Sequence, residues 1–164
     1  MSYNAPVSYR TGTPDDLEPI VAIAREIWHM GANKAMEDRH GLIAGKPWQD
    51  HVADSVRSAT KKRLGAGTCI VAEVEGRVIG WGTWSPDEAR GVGTIGYNGV
   101  HPDFRGRGIG TELVRRCLDA LKATGMSIAA VSTGLNEGHA AARAVYEKLG
   151  FQALSRSVYY TMEL

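Results

Sequence analysis

The sequence lacks an apolar run long enough to cross a membrane, and its first residues carry no apolar secretion signal. With 19 basic and 18 acidic residues, the net charge is +1, which excludes a general electrostatic attraction to nucleic acid or to a membrane surface. We therefore expect a cytoplasmic protein that binds neither. The 164 residues suit a single domain, residues 1–164, without repeats or an interdomain linker.

Cysteine is scarce, since the chain contains only Cys69 and Cys117. Their spacing fits no metal-binding motif, so we expect no metal site. Both lie within apolar patterns, and Cys117 shares the face of an amphipathic segment. These positions predict buried free thiols.

The phosphate loop of nucleotide triphosphatases is also missing, because Gly45-Lys46 is followed by Pro47 rather than by Ser or Thr. Another glycine-rich stretch is present at residues 100–110, which read Val-His-Pro-Asp-Phe-Arg-Gly-Arg-Gly-Ile-Gly. Its glycines have the wrong spacing and place in the chain for a dinucleotide fingerprint. These absences leave a third kind of phosphate loop.

An apolar, glycine-broken run precedes residues 100–110, and an amphipathic pattern at residues 109–121 follows them. The stretch therefore predicts a strand, a tight loop and a helix. Its glycines leave backbone N–H groups accessible at the helix N-terminus, where an anion is attracted. Arg105 and Arg107 add two positive charges beside it. The expected ligand is a diphosphate.

The loop spacing Arg-x-x-Gly-x-Gly, preceded by Val-x-Pro, resembles the pyrophosphate loop of the GNAT superfamily of acetyl-CoA-dependent N-acetyltransferases. A second similarity is Asn136, followed by a helix that closes on Tyr146, Gly150 and Phe151 in the pattern Tyr-x-x-x-Gly-Phe. The resemblance covers residues 80–164 clearly and the N-terminal half more loosely.

The order of predicted elements gives an α+β fold with a mixed sheet, antiparallel at first, and one parallel strand pair at its centre. The resemblance implies that this pair splays apart and that helices flank the sheet. Residues 31–47 form either a short helix or a long loop, and Gly31 ends the helix before them. The predicted strands are residues 7–10, 68–74, 78–84, 92–100, 128–133 and 159–164, and helices begin near residues 13–16, 48 and 109.

The resemblance implies that an amine attacks the thioester of acetyl-CoA directly in a ternary complex. The acceptor is expected to be a primary amine of a small molecule. A peptide or protein N-terminal amine and a non-catalytic acyl-CoA sensor stay open as alternatives. A homodimer is also expected. The implied cofactor contacts are Asn98, Gly99, Val100, Arg105, Gly106, Arg107, Gly108, Ile109, Gly110, Thr111, Asn136 and Tyr146.

Tyr146 occupies the position from which the family's tyrosine protonates the departing thiolate. The base is unassigned, because residues 94–98 lack the carboxylate that many GNAT members place before the loop. The candidates are His101, Glu26, Glu37 and His139, or a water chain past Asn98.

Glycines at positions 96 and 99 predict a bulge or a close backbone approach in the strand before the loop. The resemblance places the family's oxyanion contact, a backbone N–H, at residues 98–100. Four tryptophans could wall the acceptor pocket or fill the core: Trp28, Trp48, Trp81 and Trp84. A nucleic-acid module built on residues 61–63 and 105–107 is the last alternative, but the balanced charge gives it no support.

Overall fold

The computed structural model describes residues 5–28 and 32–164. In these residues it has five strands, which follow one another across a single sheet in the order β1-β2-β3-β4-β5. The strands are β1 (Ser8–Thr11), β2 (Cys69–Val74), β3 (Arg77–Asp87), β4 (Val92–Val100) and β5 (Ile128–Ala130); the helices are α1 (Leu17–Ile27), α2 (Ala32–His40), α3 (Trp48–Gly65), α4 (Ile109–Ala123) and α5 (Ala140–Lys148).

The first four strands form the predicted antiparallel meander. A two-residue turn joins β2 to β3, and Glu75 and Gly76 both have positive φ, at 50° and 76°. This is the backbone of a type I′ turn, whose twist matches that of the strands it joins. The predicted hairpin is confirmed, with Arg77 as the first residue of β3 rather than part of the turn.

The helix start predicted at residues 13–16 is present as a 3-10 turn, Pro14–Asp16, that leads into α1. The Asp16 carboxylate accepts the Thr13 backbone N–H at 2.7 Å, which satisfies a donor that the helix itself leaves unpaired. The described helix ends at Ile27. The end predicted at Gly31 lies outside the described residues.

Of the two structures predicted for residues 31–47, the described residues 32–47 form the short helix, α2, and a turn follows it. The helix packs on α3. None of the helices in the described part of the chain has both the length and the apolar character needed to cross a membrane.

The sheet has an apolar layer on each face. On one face, α1 and α3 cover Val71 and Trp81, both fully buried. On the other face, α4 covers Ile79 with the side chain of its Leu113. Both cysteines are buried and free, as predicted, and burial raises the pKa of each thiol to about 12.

The predicted irregularity in β4 is confirmed. Gly82 pairs with Asn98 and Trp84 pairs with Ile95, so two residues of β4 oppose the single residue Thr83. This is a β-bulge. Gly96 is required there, because a Cβ at this position would lie 2.6 Å from the Thr83 Oγ1.

The crossover through α4 makes β5 parallel to β4, as predicted, with Val92 to Thr94 facing Ile128 to Ala130. The predicted position and length of this pair are wrong, however. The pair lies at an edge of the sheet rather than at its centre, and β5 has three residues, with Ile128 59% exposed. The strands lose their pairing beyond Ala130, so the apolar run at residues 128–133 is not a buried strand.

The predicted last strand at residues 159–164 is also wrong, because those residues have no strand structure and are exposed. The alternating pattern suits a strand, but an alternating segment forms a strand only where a sheet edge pairs with it. In the described chain the segment instead contacts α2 through its polar side chains.

Candidate active site

The end of the β4–β5 pairing leaves one side of β4 unpaired beyond Thr94 in the described sheet. The His101 N–H donates to the Ile79 carbonyl at 2.8 Å, so it points toward β3. Successive N–H groups of a strand point to opposite sides, so those of Val100 and Asn98 point toward the unpaired side. This is the backbone region in which the sequence predicts an oxyanion contact.

Tyr146 reaches this opening from α5. Its hydroxyl oxygen accepts a hydrogen bond from the Asn98 Nδ2 at 3.0 Å, and the tyrosine is 6% exposed. Burial raises the pKa of Tyr146, and the Asn98 hydrogen bond opposes that effect only in part. The phenol is therefore protonated at neutral pH. Because Asn98 donates to it, its own proton remains free to be given to an acceptor.

The turn after α5 explains why Gly and Phe follow the tyrosine. Gly150 has a φ of 93°, a conformation that favours glycine. Its N–H donates to the Glu147 carbonyl, and the Phe151 N–H donates to the Tyr146 carbonyl, each at 3.0 Å. This pair of bonds is a Schellman motif. It turns Phe151 back edge-on against the Tyr146 ring, 5.7 Å between centroids, and so fixes the tyrosine.

The glycine-rich loop has the backbone that an anion site requires. Gly106 and Gly108 have φ values of 76° and 75°, and a Cβ at either position would meet no atom within 4 Å. Gly108 is the N-cap of α4 and makes no side-chain cap, so the first N–H groups of the helix have no capping side chain. The loop therefore fits a diphosphate.

The two loop arginines differ in their contacts. The Arg107 guanidinium donates to the Ala5 carbonyl at 2.9 Å and lies 5.8 Å from the centre of the Phe104 ring. The Arg105 Nε donates weakly to the Val100 carbonyl, at 3.4 Å, and its side chain is exposed. Arg105 is therefore the freer of the two to reach a ligand, while Arg107 holds the N-terminal segment on the loop.

Asn136 and His139 organise the turn before α5. The His139 Nδ1 lies 2.8 Å from the Asn136 Oδ1, and Arg143 donates to the carbonyls of Gly134 and Asn136 at 2.7 and 2.9 Å. Burial, with a smaller effect of Arg143, lowers the pKa of His139. These contacts favour a positioning role for His139 over a role as base.

Two of the other three base candidates, His101 and Glu26, are brought together from separate elements. The His101 Nε2 lies 3.3 Å from the Glu26 carboxylate of α1 and 3.2 Å from an Arg77 nitrogen. The fourth candidate, Glu37, lies on α2, a helix that packs on α3. The structure thus brings His101 and Glu26 together and adds Arg77, which lies at the start of β3 and which no sequence pattern indicates.

A cavity of 380 Å³ opens beside His101 and Glu26, between α1 and the β2–β3 turn. Arg10, Asp16 and Arg77 also line it, so its walls carry both signs of charge. It lies on the α1 side of the sheet, whereas Tyr146 reaches Asn98 from α5. The cavity, which His101 lines just after β4, and the Tyr146 contact with Asn98 on β4 are therefore two distinct places.

The four tryptophans differ in burial and in the residues that they contact. Trp81 and Trp84 are buried, at 0% and 7% exposure, and belong to the core. Trp28, at the end of α1, packs against Tyr97 of the bulge with ring centroids 5.3 Å apart, and Tyr97 is 39% exposed. Trp48 instead lies against His51 at the start of α3. An aromatic wall of Trp28 and Tyr97 thus flanks the bulge on the α1 side.

Comparison with known proteins adds to this geometry. A curated acetyltransferase of Pectobacterium atrosepticum is 35% identical over 109 residues, which cover 66% of this chain and 72% of that protein. The aminoglycoside N-acetyltransferase AAC(6')-Iy, in a complex with CoA, matches with a TM-score of 0.67 at 19% identity, over 98% of this chain and 97% of that one.

The ribosomal-protein-S18-alanine N-acetyltransferase of Escherichia coli matches with a TM-score of 0.69 at 19% identity, over 96% of this chain and 85% of that one. At such identities the two structures establish the fold, and their acceptors differ in kind. The acetyltransferase (GNAT) family pattern matches residues 22–151, which include the second half of α1, the bulge, the glycine-rich loop and Tyr146. The chain belongs to the GNAT family of acetyltransferases.

Proposed function

We propose that this acetyltransferase moves the acetyl group of acetyl-CoA to a primary amine of a small molecule by direct attack in a ternary complex. The observation that carries the proposal is the Tyr146 hydroxyl, held by Asn98 at 3.0 Å beside the unpaired side of β4. The strand then leads directly into the glycine-rich loop. A leaving-group acid and an anion site thus lie at opposite ends of one short stretch of backbone.

The residues that would hold acetyl-CoA follow that backbone. Gly106, Gly108 and the first N–H groups of α4 bind the diphosphate, and Arg105 adds charge. Bound acetyl-CoA supplies an acyl thioester. The N–H groups of Asn98 and Val100 donate to the thioester oxygen as negative charge develops on it. Asn136 belongs to the turn that holds α5, and so supports Tyr146.

The acceptor amine needs a base, because an aliphatic amine has a pKa of roughly 10.4 and removing its proton at neutral pH costs on the order of 4 to 5 kcal/mol. His101, paired with Glu26, fills this role in the proposal. His101 is three residues past Asn98, or roughly 10 Å along the strand, so water molecules relay the proton. The base lies on the α1 side and Tyr146 reaches β4 from α5, which suits attack from one face and departure toward the other.

The amine approaches on the α1 side, past Trp28 and Tyr97, in this proposal. A peptide N-terminal amine is the alternative acceptor, and the absence of a carboxylate at residues 94–98 supports a non-catalytic acyl-CoA sensor. Measurement of free thiol released from acetyl-CoA across polyamines, amino acids, aminoglycosides and peptide N-termini separates these. Release with the small amines supports the proposal, release with peptides alone favours the alternative acceptor, and binding without release favours the sensor.

A matched pair of glycine substitutions tests the cofactor site. Gly108→Asp places a side chain and a negative charge in the loop, whereas Gly125→Asp does the same just after α4, at a similar φ of 82° and in equally open space. Because the two φ values are similar, both variants should carry similar backbone strain. We expect calorimetry to show at least 100-fold weaker acetyl-CoA binding for Gly108→Asp, or about 2.7 kcal/mol, and a change below about twofold for Gly125→Asp.

Equal affinities of the two folded variants would remove the diphosphate from this loop. Binding lost in both would instead point to strain rather than to the site. The homodimer expected from the sequence is part of the same proposal, and the exposed apolar residues at the C-terminus support it.

A further inference from the structure

The 380 Å³ cavity between α1 and the β2–β3 turn lies apart from the bulge that carries the proposed acetyl-transfer site. On the α1 side of β4, Gly99 comes between Tyr97 at the bulge and His101 at the cavity. A Cβ on Gly99 would lie 2.4 Å from the Ile27 Cδ1 and 2.8 Å from the Trp81 Cζ3, so these two side chains fill the space over the glycine. They separate a molecule in the cavity from the bulge along this face.

The size and lining of the cavity suit one small molecule. Ligand sites occupy roughly 300 to 1,000 Å³, and this volume lies near the lower limit. One part of the lining is apolar and consists of Pro19, Ala22 and Ile23 from α1 with Val78 from β3. Charged and titratable side chains form most of the remainder. A mixed lining of this kind is typical of a ligand site.

The charged side chains of the lining favour a ligand with a positive net charge. Two arginines are opposed by three carboxylates, which leaves one negative charge in excess when the histidine is neutral. Arg10 donates to both oxygens of Asp16, and to one oxygen of Glu73 at 2.6 Å. An ionised carboxylate has about four lone-pair positions, so Glu73 can accept from a ligand as well. The Glu73 side of the cavity therefore suits a cation.

A second group of charges meets at His101, which is 8% exposed. Its Nε2 lies 3.2 Å from an Arg77 nitrogen and 3.3 Å from a Glu26 oxygen. As a donor this ring nitrogen suits Glu26, and as an acceptor it suits Arg77, so the ring bonds only one of them at a time. A ligand carboxylate beside Arg77 would accept from the guanidinium while His101 bonds Glu26.

The head group of an α-amino acid needs a cation and an anion side by side, because its carboxylate and ammonium share one carbon atom. Arg77 and Glu26 supply this pair, since both lie within hydrogen-bond range of one ring nitrogen. The apolar residues of the lining suit an aliphatic side chain, and Glu73 suits a cation at its end. We propose that the cavity is a second small-molecule site and binds an α-amino acid with a cationic side chain. The inference is independent of the acetyl-transfer reaction.

Calorimetry of the full chain without acetyl-CoA tests the class of ligand. We expect saturable binding of L-lysine. Cadaverine lacks the carboxylate and L-norleucine lacks the side-chain ammonium, so each should bind about tenfold more weakly, or weaker still. Absence of saturable L-lysine binding overturns the proposal. Equal affinities for the three probes would also overturn it, because the charges of the cavity would then select nothing.

A matched pair of arginine variants tests where L-lysine binds. Arg77→Gln removes a guanidinium from the cavity at the start of β3, whereas Arg90→Gln removes one that is 81% exposed beyond the end of the same strand. We expect L-lysine to bind Arg77→Gln about tenfold more weakly, and Arg90→Gln within about twofold of the wild type. Circular dichroism verifies that each variant is folded. Equal affinities of the two folded variants would remove L-lysine from this cavity.

Glu73→Gln tests the partner of the side-chain cation. The variant should bind L-lysine more weakly and keep its affinity for L-norleucine, so the preference for L-lysine should fall by about tenfold. This ratio does not respond to a general loss of folded protein. An unchanged ratio would overturn the placement of the cation beside Glu73.

Thiol release from acetyl-CoA separates the cavity from the acceptor site. Binding of L-lysine without thiol release supports a second site. If L-lysine is acetylated and Arg77→Gln abolishes both its binding and its acetylation, the cavity belongs to the acceptor site and the second site is overturned. If no amine releases thiol, the proposed function fails, while L-lysine binding that is weakened by Arg77→Gln still supports this site.

Discussion

The two edge strands of the described sheet, β1 and β5, differ in length and in the charged contacts that they make. At β1, the Arg10 guanidinium donates to both oxygens of Asp16, at 2.8 and 2.7 Å, and to Glu73 of the neighbouring strand at 2.6 Å. The charges lie along the edge strand and tie it to the start of α1. At β5, the strand is three residues long, and Ile128 is largely exposed.

The β1 edge serves the stability of the sheet, whereas the β5 edge leaves room for the proposed site. Charged residues on an edge strand discourage the addition of another strand, so β1 closes the sheet. The β5 edge carries little of the core, but the gap beside it holds the Asn98 and Tyr146 contact. The proposed site therefore lies where the described sheet is least complete, and the packed strands support it.

The largest expected effect contrasts the packed strands with the open edge. Trp81 is fully buried between α1 and the sheet, so Trp81→Ala removes a large side chain and leaves a cavity. We expect the free energy of unfolding to fall by about 3 to 5 kcal/mol, measured by urea denaturation.

Leu135→Ala is the matched control at the open edge, where 60% of the leucine is exposed. It should change the free energy of unfolding by less than about 0.5 kcal/mol. Similar losses for the two variants would mean that the open edge is as tightly packed as the centre, and the contrast between them would fail.

The next effect concerns the closed edge and its dependence on pH. The Arg10 guanidinium holds the pKa of Asp16 below its usual value, an effect that outweighs burial. A depressed folded pKa stabilises the protein above the unfolded value of roughly 3.9, and that stabilisation is lost as the pH falls through the folded pKa. We expect Asp16→Asn to cost about 1.5 to 3 kcal/mol at pH 7.

Urea denaturation at pH 7 and near pH 3 measures this difference, which should shrink at the lower pH. Asp15→Asn changes the exposed neighbouring residue, and it should leave the free energy of unfolding almost unchanged at both pH values. A cost for Asp16→Asn that does not change with pH would show that shape rather than charge holds this edge.

The sequence predicted the closed side better than the open side. β4 was predicted with its bounds, and the β2–β3 hairpin and the bulge followed from local signals, namely glycines and β-branched runs. Such signals act within a few residues, so the local structure they predict does not depend on which distant segments pack against it.

The errors were long-range. The parallel pair was expected at the centre, and residues 159–164 were expected to form a strand, because periodicity does not say which edge a segment will meet. Likewise, no spacing in the sequence could place Arg77 beside His101 and Glu26, which come from three separate elements. Tyr146 was predicted from the GNAT-like pattern Tyr-x-x-x-Gly-Phe together with Asn136, and its role as an acid stays a prediction.

The smallest expected effect tests the open edge directly. If the Tyr146 hydroxyl protonates the departing thiolate, Tyr146→Phe removes that donor but keeps the ring against Phe151. A thiol of pKa roughly 8.5 already leaves tolerably, so we expect kcat to fall about 10 to 100-fold, with acetyl-CoA affinity retained. Tyr9→Phe, at a partly buried tyrosine whose ring lies under the Arg116 guanidinium, should leave the rate unchanged.

The pH profile of that variant distinguishes an acid from a packing residue. Burial raises the pKa of Tyr146, so a basic limb due to this hydroxyl lies above the usual tyrosine value of about 10. Tyr146→Phe should lose that limb and keep the acidic limb, which would report the proposed base. If the variant turns over at the wild-type rate with both limbs intact, the hydroxyl only packs against Asn98, and water delivers the proton at the open edge.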